Sequence, residues 1–276
     1  MACCMVIFCR SLKDIYVETL TMQYRLPAIE FSFWVYQNQF YSDKVLTQNV
    51  RIGLGHAAKG GLIGGYTFSS NKALVDCIAE KVSAHPHPDQ FSDDELMTIF
   101  DLIQGWGGKT GRGPYVRPKV APPRISDKSY PAQYRRAVEL MFALDQGSFT
   151  QSEIDQVDQM FCKMRGIAQS YSTKHMCFWS RSLVNCPTLA IYDTRMVNIF
   201  RAANPGIGAP LTYINFLDAL KDTGTVVGLR VDEVESALFA FSSNYFTNDH
   251  LKLRDDFGVQ HSDHAIAVHL ARTAAS

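Results

Sequence analysis

The sequence predicts a mainly helical protein built from two lobes. Amphipathic patterns of helical period recur along most of the chain. A stretch rich in proline and glycine, residues 105–131, interrupts them and is the expected connection. The 276 residues suit one large domain or two closely packed lobes. We therefore place an N-terminal lobe at 1–104, a basic Pro/Gly-rich connection at 105–133 and a helical lobe at 134–276.

The expected helices follow from apolar spacing and from capping residues. Residues 1–50 are rich in aromatic side chains but fit neither helix nor strand, so the N-terminal region stays unassigned. Thr150 and Glu153 form a capping box at the start of one helix. Asp193 lies where the N-cap of another belongs. Besides the helix that begins after Thr150, the sequence predicts helices at 72–84, Asp93–Gln104, Tyr134–Leu144, Thr173–Val184, Thr194–Ala203 and Val231–Phe241.

Composition argues against several classes of protein. The seven cysteines include no C-x-x-C pair, which speaks against a disulfide framework and a zinc site. The chain has no apolar run near the ~20 residues that cross a bilayer. The glycine-dense stretch 53–65 lacks the spacing of a dinucleotide or phosphate loop, and His261, His264 and His269 match no metal motif. We expect a cytoplasmic monomer without metal, cofactor or membrane partner.

Charge is balanced overall but concentrated locally. The chain has 27 basic and 27 acidic residues, which disfavours a strongly basic nucleic-acid binder. Between Lys109 and Arg136, however, eight basic residues accompany one acid, Asp127, with aromatic residues interleaved. Cations can neutralise phosphates while aromatic rings stack on bases; a solvated loop explains the pattern equally well. The candidate DNA contacts in this tract are Lys109, Arg112, Arg117 and Lys119.

Lys174 and Asp193 form the most informative pair. We expect Lys174 in the first turn of a helix, where the helix dipole disfavours a cation. With apolar Phe178 and Trp179 nearby, its pKa should be lowered, and a neutral lysine is a nucleophile. Asp193 would stay ionised because backbone N–H groups bind its carboxylate. An exposed lysine and a purely structural cap are the alternative interpretation.

Residues 171–200 resemble the helix-hairpin-helix DNA glycosylases, specifically the 8-oxoguanine DNA glycosylase type. The 19-residue separation of Lys174 and Asp193 matches that family. The phrases Trp179-Ser-Arg-Ser-Leu183 and Ile191-Tyr-Asp193-Thr-Arg195 resemble a divergent bacterial branch. One departure is that Ser170 and Ser172 occupy positions where the family's hairpin usually has glycines that grip a phosphate.

The resemblance implies a two-lobed helix-hairpin-helix glycosylase architecture and excision of a base from DNA, with possible AP lyase activity. Lys174 would be the nucleophile, and Asp193 would stabilise the sugar cation or help deprotonate Lys174. The other roles that it implies are a base pocket of Phe178, Glu235 and Phe239 and DNA contacts of Arg195 and Ser172.

Three questions stay open: which type of base would be excised, where that base comes from, and whether the protein is an enzyme. An ionised Glu235 would accept hydrogen bonds from donors on the base edge, which fits guanine or cytosine derivatives better than thymine derivatives. The base could be a repair substrate, oxidised guanine above all, or a modified base of phage DNA. The alternatives to an enzyme are a catalytically silent nucleic-acid-binding module of the same fold and a protein whose basic tract binds an acidic partner.

Overall fold

The computed structural model describes residues 66, 68, 71–106, 129–144, 149–164, 167–208, 210–247, 250–254 and 261–275. This part of the chain is helical, as expected, and it contains nine α-helices and one 3-10 turn, Pro88–Gln90. The helices are α1 Asn71–Val82, α2 Asp93–Trp106, α3 Ser129–Ala143, α4 Gln151–Cys162, α5 Gln169–Ser182, α6 Thr194–Ala203, α7 Tyr213–Val227, α8 Val231–Tyr245 and α9 His261–Ala275.

Helix α5 is the centre of the packing. It contacts α1, α2, α3 and α4. Trp179 of α5 is fully buried, and its ring meets Phe91 edge-on at 5.5 Å between centroids. Burying a side chain of this size contributes about 2–3 kcal/mol or more. The helix that carries Lys174 is therefore held on several sides by its neighbours.

The later helices extend the same core. Helix α6 packs against α8 and α9, and α7 packs against α8. Buried residues from all nine described helices form one continuous hydrophobic cluster. The division into two lobes of helix-hairpin-helix type stays a prediction.

Two predicted helix starts were wrong, and the start of α5 has no side-chain capping hydrogen bond to mark it. Helix α3 begins at Ser129, inside the predicted connection, because Pro131 is tolerated in a first turn, where an N–H has no helical partner. Helix α5 begins at Gln169 rather than Thr173. Helices α7 and α9 were not predicted, although Thr212 caps α7 and Gly228, at φ 72°, ends it. The capping box of Thr150 and Glu153 and the bounds of α6 are confirmed.

A buried polar network crosses the core beside Lys174. His175 is fully buried between the rings of Phe100 and Phe161, both nearly parallel to it. Its Nδ1 lies 3.0 Å from the hydroxyl of Tyr134, which accepts a hydrogen bond from Trp179 Nε1 at 2.9 Å.

Two hydrogen bonds hold the ring of His175. The side-chain amide nitrogen of Gln104, which can only donate, lies 3.1 Å from Nε2 of His175, so Nε2 accepts. Nδ1 then carries the hydrogen and donates to the hydroxyl of Tyr134, whose oxygen also accepts from Trp179. Burial lowers the pKa of His175 to about 3, so the ring is neutral at physiological pH.

The neutral state of His175 predicts a dependence of stability on acid. A depressed folded-state pKa gives stability that is complete above the ordinary value of 6.5 and is lost as pH falls toward about 3. The loss is about 1.4 kcal/mol per pH unit. The difference in unfolding free energy between wild type and His175→Phe should therefore shrink between pH 7.5 and pH 5 in urea titrations. His269→Gln changes an exposed residue of α9, and its unfolding free energy should depend on pH as that of wild type does. A difference that stays constant with pH would contradict a neutral His175.

Candidate active site

The hairpin between α4 and α5 is closed by the side chain of Asp158. Its carboxylate accepts from the hydroxyl of Ser172 and, at 3.3 Å, from the amide of Gln169. Ser172 also contacts the backbone carbonyl of Asp158 at 3.3 Å. One residue of α4 thus holds the first turns of α5 in place. Burial raises the pKa of Asp158, against the effect of these hydrogen bonds.

The predicted phosphate contact of Ser172 does not fit this geometry. Ser172 lies within α5, its side chain is fully buried, and its hydroxyl is bonded to α4. A buried hydroxyl cannot reach a DNA backbone. Ser170 is only partly buried and lies at the start of the helix, which leaves it as the hairpin serine nearest the surface.

Lys174 lies in the second turn of α5, not in the first. Its Nζ donates to the carbonyl of Ser170 at 3.3 Å and lies 4.5 Å from the ring centroid of Tyr171. Burial is the largest cause of a lowered pKa for Lys174, which is the direction that the sequence predicts. The negative charges of Asp193 and Glu235 oppose this lowering. Burial therefore favours the neutral amine, while the charges of Asp193 and Glu235 favour the ammonium form.

Asp193 is the N-cap of α6, as predicted. Its Oδ1 accepts a hydrogen bond from the backbone N–H of Met196 at 2.9 Å. This bond uses part of the hydrogen-bonding capacity of the carboxylate, which has about four lone-pair sites. Asp193 can therefore cap the helix and act on Lys174 at the same time.

Two hydroxyl groups of α5 fix the segment that leads to Asp193. The hydroxyl of Thr173 accepts from the backbone N–H of Tyr192 at 3.0 Å, and that of Ser180 accepts from Leu189 at 3.0 Å. Both side chains are buried. The non-helical segment 187–193 therefore runs antiparallel to α5. Thr173 precedes Lys174 and Tyr192 precedes Asp193, so this hydrogen bond fixes the segment that carries Asp193 against the helix that carries Lys174.

Helix α8 brings Glu235 into the same charged group. Glu235 is 3% exposed, and burial together with the charges of Asp193 and Asp232 raises its pKa to about 8, against Arg181 and Lys174. Burial therefore favours the protonated form of Glu235, whereas the sequence predicts an ionised acceptor. A protonated carboxyl can donate one hydrogen bond as well as accept.

An ion cluster ties α8 to α5. Asp232, 2% exposed, lies 2.8 Å from Nε of Arg181 and 3.1 Å from Nε of Arg230. Removing one partner of such a buried pair costs about 3–5 kcal/mol, because the other charge stays buried. Neither Arg181 nor Asp232 was predicted. The signal that could have found them is helical spacing. Arg181 comes seven residues after Lys174, and Asp232 comes three residues before Glu235, so each pair shares a helix face.

Arg195 and Phe239 meet at the partly buried edge of this group. The guanidinium carbon of Arg195 lies 5.6 Å from the ring centroid of Phe239, and its NH1 donates to Ser243 at 3.5 Å. Arg195 comes from the first turn of α6 and Phe239 from α8. The predicted phosphate contact and the predicted base-stacking ring are thus neighbours.

Phe178 is buried against its neighbours. It is 2% exposed, its ring meets Trp106 at 5.1 Å, and Arg181 lies 5.5 Å from its centroid. The prediction that Phe178 lines a base pocket does not fit, because these neighbours already cover the ring. It is a core residue that supports Arg181. The remaining predicted contacts, Lys109, Arg112, Arg117 and Lys119, lie outside the described residues.

Within the described ranges, no helix is both long and apolar enough to cross a membrane, and no three His, Cys, Asp or Glu side chains are grouped as a metal site would need. Comparisons of the chain with family models, with curated proteins and with solved structures find no match.

The electrostatics of Lys174 predict a titration. After reductive methylation with ¹³C-formaldehyde, the dimethyl signal of Lys174 should titrate at lower pH than that of Lys221, which is exposed on α7. Asp193→Asn should lower the pKa of Lys174 further, because it removes a charge that favours the ammonium form. Asp222→Asn, exposed on α7, is the control and should leave it unchanged. A Lys174 signal that titrates at the same pH as that of Lys221 would contradict the structure. So would a pKa of Lys174 that rises in Asp193→Asn.

Proposed function

We propose that this chain is a DNA glycosylase that excises a damaged or modified base through Lys174. One observation carries the proposal. Lys174, Asp193 and Glu235 come from three helical elements and influence one another's charge, and burial lowers the pKa of the lysine. Coupled, perturbed groups of this kind are typical of reactive sites. The resemblance of residues 171–200 to the helix-hairpin-helix glycosylases supplies the reaction class.

The chemistry needs the neutral form of Lys174. The lone pair of Nζ forms a bond to the anomeric carbon of a flipped nucleotide, and the bond from that carbon to the base breaks with its electrons going to the base. The new ammonium nitrogen loses a proton, and opening of the sugar ring, with protonation of its oxygen, gives a Schiff base. Strand cleavage by β-elimination can follow.

Asp193 stabilises positive charge on the sugar in this scheme. The sugar carbon becomes positive as the base leaves, and a nearby fixed carboxylate stabilises it without reorganising. The same carboxylate is held in place by the N–H of Met196. Arg195 beside Phe239 would contribute a cation for the DNA backbone next to a ring on which a base can stack.

The substrate follows from the resemblance alone and has two candidates. Oxidised guanine is the family default, and a modified base of foreign DNA is the alternative for a divergent bacterial branch. The competing function is a nucleic-acid-binding module of the same fold without chemistry, which would leave Lys174 unreactive.

A borohydride trap tests the proposal. Wild type incubated with an abasic duplex and borohydride should form a covalent adduct, since reduction converts the Schiff base to a stable amine. Lys174→Met keeps the apolar stem of the side chain and should form no adduct while melting close to wild type. Lys221→Ala, at an exposed site on α7, should trap like wild type. An adduct of normal yield with a folded Lys174→Met protein would exclude Lys174 as the nucleophile, and no adduct with wild type would favour the silent module.

A further inference from the structure

The side chain of Lys174 turns back over the start of its own helix. Its Nζ donates to the carbonyl of Ser170 at 3.3 Å and lies 4.5 Å from the ring centroid of Tyr171. These two residues come four and three positions before Lys174, and side chains of a helix point back toward that face of the preceding turn. The position of the amine therefore depends on the first turn of α5, residues 169–172.

This first turn has no side-chain cap of its own. The N-cap of α5 is Ala168, which makes no side-chain hydrogen bond to the helix. Serine, threonine, aspartate or asparagine at an N-cap would accept from an N–H of the first turn, which alanine cannot do. The side-chain contacts that hold the turn in place therefore come from another element.

Asp158 of α4 supplies those contacts. Its carboxylate accepts from the hydroxyl of Ser172 and, at 3.3 Å, from the side-chain amide of Gln169. Gln169 and Ser172 are the two ends of the first turn of α5. Ser170 and Tyr171, which contact the amine of Lys174, lie between them in the sequence. One carboxylate thus holds the chain on both sides of the two residues that contact Nζ.

Asp158 is itself held by α4. The thiol of Cys162, one turn later in the same helix, donates to its carboxylate at 3.7 Å. Helix α4 packs against both α3 and α5, and it buries Ile154, Val157 and Phe161 in the core. The position of the carboxylate is therefore determined by a packed helix.

We propose, on the basis of the proposed glycosylase function, that Asp158 is a positioning residue for the reaction of Lys174. It fixes the first turn of α5, and that turn holds the amine through the carbonyl of Ser170 and the ring of Tyr171. Attack requires the nitrogen to lie about 3–3.5 Å from the anomeric carbon, and a displacement of about 1 Å can slow such a step about 100-fold. A loosened first turn should therefore slow the reaction.

The first measurement needs no DNA. After reductive methylation with ¹³C-formaldehyde, the ring current of Tyr171 should shift the dimethyl signal of Lys174 upfield from that of exposed Lys221, because Nζ lies over the ring. Lys174→Met removes this signal and thereby assigns it. In Asp158→Ala the signal should move toward that of Lys221, because the ring and the amine are no longer held together.

Three further variants separate positioning from general stability. Asp155→Ala is the matched control, because Asp155 lies three residues earlier on α4 and accepts from Gln151 of the same helix at 2.6 Å. Its methyl signal should match that of wild type. Asp158→Asn is the conservative variant, because an amide oxygen can still accept from the hydroxyl of Ser172. Ser172→Ala removes the same hydrogen bond from the side of α5.

The second measurement is single-turnover borohydride trapping over a range of concentrations of abasic duplex. In Asp158→Ala the maximal rate should fall about 10- to 100-fold, while the DNA concentration that gives half the maximal rate changes little. Asp158→Asn should recover most of the rate, and Asp155→Ala should match wild type. Combining Asp158→Ala with Ser172→Ala should slow trapping no further than Asp158→Ala alone, because both changes remove one shared bond.

A purely structural role of Asp158 would give a different pattern. A lower melting temperature of Asp158→Ala with an unmoved methyl signal, or with a maximal rate close to that of wild type, would overturn the proposal. So would a change in the half-saturating DNA concentration alone, which would make Asp158 a determinant of DNA binding. If Asp158→Ala does not fold, Ser172→Ala has to show both effects. If wild type does not trap abasic DNA, the glycosylase function is refuted, and the methyl signal alone decides whether Asp158 positions the amine.

Discussion

The site depends on one buried hydrogen bond, from the backbone N–H of Tyr192 to the hydroxyl of Thr173. Each partner immediately precedes a residue of the proposed reaction, Lys174 on α5 and Asp193 at the start of α6. The second bond, from Leu189 to Ser180, aligns the rest of the segment along α5. A buried N–H left without a partner costs about 1–3 kcal/mol, so the segment has little freedom to move away. Although Lys174 and Asp193 are 19 residues apart in the sequence, this bond holds the segment that ends at Asp193 against α5.

Burial determines the protonation chemistry of Lys174 and of its neighbour in charge, Glu235. Lys174 and Glu235 are placed where charge is unfavourable, and both pKa values move toward the neutral forms. Asp232 lies against the guanidinium groups of Arg181 and Arg230. The neutral His175 network lies next to Lys174 and anchors the same helix from the other side. Because these contacts hold α5 from its core side, the helix can position the amine of Lys174 without an ion pair.

The sequence predicted the helical class, the capping box at Thr150, the cap at Asp193 and the helix from Thr194 to Ala203, because each depends on residues close together in the chain. It placed the start of α5 four residues late, since Ala168 and Gln169 carry no capping signal. The burial of Ser172 and Phe178 could not be anticipated, because it depends on Asp158, Trp106 and Arg181 from distant positions. The raised pKa of Glu235 was missed for the same reason: it depends on burial, and an acidic residue on an amphipathic helix is usually exposed.

The most direct test of this account compares Thr173→Val with Ser180→Ala. Each variant removes one of the two hydroxyl acceptors of the segment and should lose roughly 1–3 kcal/mol of stability in urea titrations. The rate of borohydride trapping on abasic DNA should fall strongly in Thr173→Val, because the segment that ends at Asp193 loses its bond to α5 next to Lys174. It should fall much less in Ser180→Ala, whose bond lies at the far end of the segment. Equal trapping rates in the two variants at equal stability would contradict the claim that the bond between Thr173 and Tyr192 positions the reacting residues.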